Sequence, residues 1–254
     1  MGQALVREVA RTQGAKLAGG VEAKGHPTLG RDLGTLAGLE PLGLKVSADA
    51  KALFEAADAV LDFTAPAASL SYASLAAECK TALVIGTTGI DDSGAAKIRK
   101  AASKTAIVWA ANMSVGVNLL AALVEQAAAK LDGRYDIEIV EMHHRHKVDA
   151  PSGTALALGR AAAKGRGVAL DKVSARGRDG HTGPRRAGDI GFASLRGGDV
   201  VGDHTVVFAG DGERIELTHR AGSRDLFAQG AVRAALWAAK KPPGLYSMRD
   251  VLGI

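Results

Sequence analysis

Between residues 59 and 109, short apolar runs alternate with helical stretches. That alternation limits the possible folds more than any other feature of the chain. Ala59-Val60-Leu61-Asp62-Phe63 reads as a buried strand, followed by Thr64-Ala65-Pro66 and a helix over about 67–78. Ala82-Leu83-Val84-Ile85 repeats the pattern, ends in Gly86-Thr87-Thr88-Gly89 and leads to a helix near 92–103. Ala106-Ile107-Val108-Trp109 is a further strand. Strands that are apolar throughout must be covered on both faces, so the pattern predicts a parallel, doubly wound α/β sheet. Upstream, residues 3–13 form an amphipathic helix, 16–21 a short strand ending at Glu22, 23–45 an irregular Gly- and Pro-rich stretch, and 49–57 a helix.

From residue 113 the pattern changes. A helix over 116–131 precedes an alternating run, 135–141, with Ile137, Ile139 and Glu141 on one face. A helix covers 153–164. Three strand-like runs follow at 190–195, 203–208 and 213–219, separated by Gly-rich turns and read as antiparallel. A last helix spans about 225–239. The chain thus divides into a doubly wound domain, residues 1–112 and 224–254, and an inserted α+β domain, residues 113–223.

Aromatics are only 4% of the 254 residues, so Ala, Val and Leu supply most of the core. The single Cys79 excludes an internal disulfide and a multi-cysteine metal site, and fits a reducing cytoplasm. No apolar run reaches membrane-spanning length, so no membrane partner is expected. The net charge of +5 raises the question of nucleic acid. The basic residues cluster at 143–147 and at Arg176, Arg178, Arg185 and Arg186, with no basic helix face and no interleaved aromatics. An anionic small molecule suits that pattern and nucleic acid does not.

A doubly wound nucleotide-binding domain opens with a strand and a glycine-rich turn. This sequence opens on a helix. Glu22 suits either a solvated strand-end carboxylate or an acceptor for an adenosine ribose. Gly86-Thr87-Thr88-Gly89 is either a plain tight turn or a close-approach loop for a ligand, at the strand end where such sheets bind. Ala110-Ala111-Asn112-Met113 holds the equivalent end of the next strand. Three such strand ends point to a nucleotide crevice.

The chemistry concentrates in Glu141-Met142-His143-His144-Arg145-His146-Lys147-Val148-Asp149-Ala150-Pro151-Ser152-Gly153-Thr154. Five consecutive side chains, His143 to Lys147, carry or share positive charge, an arrangement that favours an anionic ligand needing a proton. Imidazole exchanges protons near neutral pH, and a lysine crowded by cations becomes a better acid. His143 and Lys147 are therefore the expected proton donors. Ser152 suits a helix N-cap, and a helix start turns its first N–H groups, here at Gly153 and Thr154, toward an anion. Two other readings compete. His143, His144 and His146, with Glu141 or Asp149, have the makings of a zinc site for a hydrolase, although Arg145 and Lys147 repel a dication. The segment also reads as a solvated basic loop.

The run from His143 to Ala155 resembles the signature of the 4-hydroxy-tetrahydrodipicolinate reductase family, also called dihydrodipicolinate reductases. The resemblance extends to Asp62-Phe63-Thr64-Ala65-Pro66, Val84-Ile85-Gly86-Thr87-Thr88-Gly89, Ala111-Asn112-Met113-Ser114-Val115-Gly116-Val117-Asn118 and Gly180-His181-Thr182-Gly183. It implies a Rossmann-like nucleotide-binding domain with an inserted α+β domain for substrate binding and oligomerisation, and a homotetramer built through the strand-rich stretch 190–219. The implied activity is reduction of a cyclic dicarboxylate by NADH or NADPH with loss of water, in lysine and diaminopimelate synthesis in the cytoplasm. By position, His143 and Lys147 are catalytic, and His144, Gly153 and Thr154 bind substrate. Glu22, Gly86, Thr87, Thr88, Ala110, Ala111, Asn112 and Met113 line the cofactor, and no metal is implied.

The family's opening strand and Gly-x-x-Gly-x-Met-Gly turn are represented only by Met1-Gly2. The expectation is a start at an internal Met or a truncated chain, with poorer folding or weaker NADH binding than an upstream-extended form. It also leaves a non-catalytic homologue that binds a dicarboxylate or nucleotide as the alternative. Glu22 favours NADH, whereas Lys24 is placed to meet a 2′-phosphate.

Overall fold

The computed structural model describes residues 1–254. In chain order the elements are α1 (Gly2–Arg11), α2 (Leu33–Leu36), α3 (Ala50–Ala56), β1 (Ala59–Asp62), α4 (Pro66–Cys79), β2 (Ala82–Ile85), α5 (Asp92–Ala102) and β3 (Ala106–Trp109). Then come α6 (Val115–Lys130), β4 (Asp136–His143), α7 (Gly153–Gly165), α8 (Leu170–Val173), β5 (Ser174–Ala175), β6 (Ile190–Arg196), β7 (Gly202–Gly210) and β8 (Glu213–Ala221). The last are α9 (Asp225–Ala238), β9 (Gly244–Tyr246) and α10 (Met248–Leu252). The chain divides into two units, Met1–Val115 with Asp225–Gly253, and Gly116–Arg224.

The first unit holds a four-stranded, wholly parallel sheet in the order β1-β2-β3-β9. All four residues of β2 are buried. Successive side chains point to opposite faces. Ala82 and Val84 pack with Ala228, Ala231 and Met248 on one side, while Leu83 and Ile85 pack with Phe54, Ala76 and Ile98 on the other. Burial of the Val, Leu, Ile, Phe and Met side chains among them contributes roughly 1.5–3 kcal/mol each, and of the alanines less. This is the Rossmann-like arrangement the alternation predicts. Local signals set the helix ends. Pro66 opens α4, and the Asp91 carboxylate caps α5 by accepting from Gly94 N at 2.7 Å.

One local expectation fails here, and two short elements give no local signal. The run 16–21 is extended but forms no strand, because a strand exists only as a ladder. Its one bridge joins Val21 to Ser47. Conversely, β9 and α10 were not read from sequence: three residues, Gly244-Leu245-Tyr246, are too short to show a period.

The second unit holds a five-stranded mixed sheet in the order β5-β6-β4-β7-β8. The expected antiparallel trio needs correction. β7 and β8 form an antiparallel hairpin, but β6 does not pair with β7. β4 lies between them, parallel to β6 and antiparallel to β7. The helical crossover after β4 returns the chain in the same direction, which places β6 beside β4. Leu120, Val124, Leu158 and Ala162 pack on one sheet face against Ile139, Phe192, Val206 and Phe208.

Candidate active site

β4 carries the candidate residues Glu141 and His143 off the end of a hydrophobic core. Its residues alternate between half-buried and buried, so Ile137, Ile139, Glu141 and His143 share the inward face. On β7 the same alternation turns Gly202, His204, Val206 and Phe208 inward. The registers set Ser194 and His204 on either side of Glu141, His219 beyond His204, and Arg196 beside His143. The face is apolar at one end and polar at the other.

Glu141 is only 1% exposed, yet its carboxylate is fully partnered. Arg196 donates through Nη1 to Oε2 at 2.8 Å and through Nη2 to Oε1 at 2.9 Å. His143 Nδ1 lies 2.5 Å from Oε2, and Ser152 N donates to Oε1 at 3.2 Å. Burial works against ionisation, but the Arg196 and His143 hydrogen bonds outweigh it and hold this carboxyl down to about 2. Burial of the His204 ring, reinforced by the neighbouring His143, pushes its imidazole down to about 4. His204 is therefore neutral at neutral pH. It meets His143 edge-on at 5.1 Å between centroids, and its Nε2 is 3.0 Å from Ser152 Oγ.

Ser152 is the N-cap of α7, as its place before Gly153 and Thr154 predicts. Its Oγ accepts from Ala155 N at 3.1 Å. Gly153 is exposed, with open space where a Cβ would stand, and Thr154 is half-buried. The helix start is thus open to an anion at Gly153.

The basic run is less crowded than its sequence implies. β4 ends at His143, and a turn at Arg145 and His146 follows. Lys147 Nζ pairs with Asp149 Oδ1 at 2.6 Å, so the lysine charge is compensated by a carboxylate two residues away. The rings of His144 and His146 lie 6.3 Å apart. Burial, the Arg224 cation and the neighbouring histidines push the His144 imidazole below its ordinary value. A shallow concavity of about 870 Å³ takes in His144, Arg145, His146, Asp199 and Arg224. His143 turns instead to Glu141 and His204, and no three His, Cys, Asp or Glu side chains converge as a metal cage. The zinc reading of the histidines thus has no shared centre.

In the first unit, Met1, Gly2, Glu22, Asp62 and Thr64 line a groove of about 1120 Å³. Glu22 is exposed, and its backbone N–H donates to Ser47 O at 2.9 Å. Asp62 is 1% exposed, and its Oδ2 has no partner. A Cβ at Gly86 would stand 2.4 Å from the Phe63 ring, so the turn after β2 requires glycine there. Gly89 adopts a φ of +79°. Thr87 is buried and its Oγ1 accepts from Thr64 N at 3.1 Å, whereas Thr88 is exposed. After β3, Ala111 is exposed and Met113 is buried. Ala110 N donates to Ile85 O at 3.1 Å, and Asn112 Oδ1 accepts from Ser114 N at 2.8 Å. A helix start for an anionic diphosphate and the exposed Glu22 carboxylate for ribose hydroxyls share one groove, so these residues fit a nicotinamide dinucleotide.

Sequence reasoning missed Arg196, His204 and Arg224. Glu141 entered only as a core-facing residue or a metal ligand. A polar residue interrupting the inward apolar series of β7 was the available signal for His204. Arg196 left none, since its partner is 55 residues away.

A family model described as dihydrodipicolinate reductase, N-terminus, matches residues 1–113, and one described as dihydrodipicolinate reductase, C-terminus, matches residues 116–252. The chain is 64% identical over 255 residues to the 4-hydroxy-tetrahydrodipicolinate reductase of Parvibaculum lavamentivorans, covering 100% of this chain and 94% of that one. It is 59% identical over 254 residues to the reductase of the same name from Rhodopseudomonas palustris strain BisB18, again covering 100% and 94%. Among solved structures, a dipicolinate-bound dihydrodipicolinate reductase from Paenisporosarcina sp. TG-14 shares the fold. Its TM-score is 0.78 at 24% identity, over 97% of this chain and 92% of that one. Matched in both halves and alike over its whole length to these reductases, the chain belongs to the dihydrodipicolinate reductase family.

Proposed function

We propose that His143 and Lys147 supply the proton, and that His144 with the start of α7 holds the substrate, in the reduction of 4-hydroxy-tetrahydrodipicolinate to tetrahydrodipicolinate. The chain is an oxidoreductase of lysine and diaminopimelate synthesis that uses NADH or NADPH. The reaction adds one hydride and one proton and releases one water. A bound nicotinamide supplies the hydride. His143 and Lys147 stand at the β4 end, where a departing hydroxyl needs a proton. The N–H groups at Gly153 and Thr154 and the His144 ring meet the substrate carboxylates. The His143–Glu141 contact, joined to the α7 start through Ser152 N, is the observation that carries this reading.

The first unit binds the cofactor. Glu22 accepts from ribose hydroxyls, and the turns Gly86-Thr87-Thr88 and Ala110-Ala111-Asn112-Met113 line the remainder. Lys24 permits NADPH beside NADH. The second unit, Gly116–Arg224, binds substrate and joins subunits. On the sheet face away from α7, Val140, Met142 and Val207 are half-buried and Leu195 is 51% exposed. An uncovered apolar sheet face supports a homotetramer. No helix is long and apolar enough to cross a membrane, which suits a cytoplasmic site.

The test is oxidation of NADH and of NADPH by the purified chain with freshly generated substrate. Turnover lost in His143→Ala and Lys147→Ala, with circular dichroism unchanged, supports the roles. Ligand binding without nicotinamide oxidation would instead favour a non-catalytic homologue. The overall identity to named reductases and the paired proton donors favour catalysis.

A further inference from the structure

We infer that Glu141 is the positioning residue of this reaction: it holds the His143 proton on Nδ1, leaves Nε2 to act, and ties that imidazole to the start of α7. The inference rests on the reductase reading. An ionised carboxylate only accepts hydrogen bonds. The hydrogen in the 2.5 Å contact therefore sits on His143 Nδ1. Nε2 then carries the lone pair of the neutral ring or the transferable proton of the charged one. A Cβ at Gly202 would stand 3.0 Å from that Nε2, and glycine keeps this side of the ring uncrowded.

Glu141 is itself held firmly. The Arg196 guanidinium grips both of its oxygens, and Arg196 Nη2 also donates to Asp149 O at 2.6 Å. Ser152 N reaches the same carboxylate. One buried group thus links the end of β4, the Lys147–Asp149 loop and the anion-facing helix start. The proton donor and the carboxylate anchor do not move independently. The charged and titratable groups around His143 are Glu141 on its own strand, Arg196 on β6, His204 on β7 backed by His219 on β8, and Lys147 with Asp149 on the loop.

Two measurements decide the matter. Nitrogen-15 NMR of the wild-type histidines reads the His143 tautomer without any turnover. The Nδ1–H form is expected, and the Nε2–H form overturns the inference. Kinetics of Glu141→Gln follow, because an amide turned nitrogen-first toward Nδ1 favours the opposite tautomer. The expected result is a kcat loss of about 100-fold or more, with the dicarboxylate KM changed less than about 3-fold and the basic limb of the kcat profile about one pH unit lower. Glu141→Asp is expected to restore part of kcat and the limb. A kcat within about 3-fold of wild type, or an unmoved limb, refutes the positioning role. Wild-type protein that turns over neither coenzyme would sink the reductase reading instead, and the NMR result would still stand.

Discussion

His204 is expected to make the second unit lose stability as the pH falls from neutral to 5. It is 3% exposed, burial holds its imidazole down to about 4 against an ordinary 6.5, and its Nδ1 has no partner. In that window the unfolded chain binds a proton that the folded chain refuses, so folding weakens as pH falls from 6.5 toward 4. With those two values, the linkage relation gives a loss of about 2 kcal/mol between pH 7 and pH 5. His204→Gln keeps similar volume and a group that reaches Ser152 Oγ, but does not titrate. Urea unfolding at both pH values, at fixed protein concentration, measures the difference. Far-ultraviolet circular dichroism is the suitable probe, since Trp109 and Trp237 both belong to the first unit. The variant should show a pH 7 to pH 5 loss smaller by about 2 kcal/mol. Equal losses in the two proteins, or a His204 resonance that titrates near 6.5, would refute the reasoning.

Lys147→Ala should lower kcat by about 100-fold without changing the fold, read by nicotinamide oxidation and circular dichroism. Ser152→Ala removes the α7 cap and the His204 partner, for a destabilisation of roughly 2 kcal/mol measurable in urea. In Gly230→Ala the new Cβ would stand 1.7 Å from Met113 O, so α9 must shift. The cost is about 1–3 kcal/mol or more, with a raised KM for NADH, and unchanged unfolding would contradict the close approach. Leu195→Asp, at the exposed apolar sheet face, should reduce the assembly size seen by light scattering, and a monomeric wild type would remove the basis for that prediction.

β1, β2 and β3 of the first sheet were legible because each is a largely apolar run that only a doubly covered sheet can bury, whereas the three-residue β9 was not. β4 was legible for the complementary reason: strict alternation already placed Glu141 with Ile137 and Ile139. The position of β6 was not. Strand order depends on which edge a crossover returns to, and the residues of β6 read the same beside β4 as beside β7. The helix start at Ser152 and the proposed donors His143 and Lys147 lie within one local motif and were readable. Arg196 and His204 join that motif only through the registers β4–β6 and β4–β7, and no local pattern encodes a register. The run 16–21 shows the same limit from the other side: strand-like residues that meet only a single bridge, Val21 to Ser47, build no ladder.

The alternation of β4 sets a counting rule on how the chain can change length. Its apolar and its reactive residues occupy one face of one strand, so they are phased together. Insertion or deletion of a single residue between Ile139 and Glu141 would turn Glu141 and His143 outward and bring Val140 or Met142 toward Arg196 and His204. A change of two residues would preserve the phase but carry Glu141 and His143 roughly 7 Å along the strand, away from Arg196 and His204. An odd step therefore turns Glu141 and His143 off the inward face, an even step keeps the face but loses the register, and the hydrophobic half of the sheet keeps its own phase in both cases.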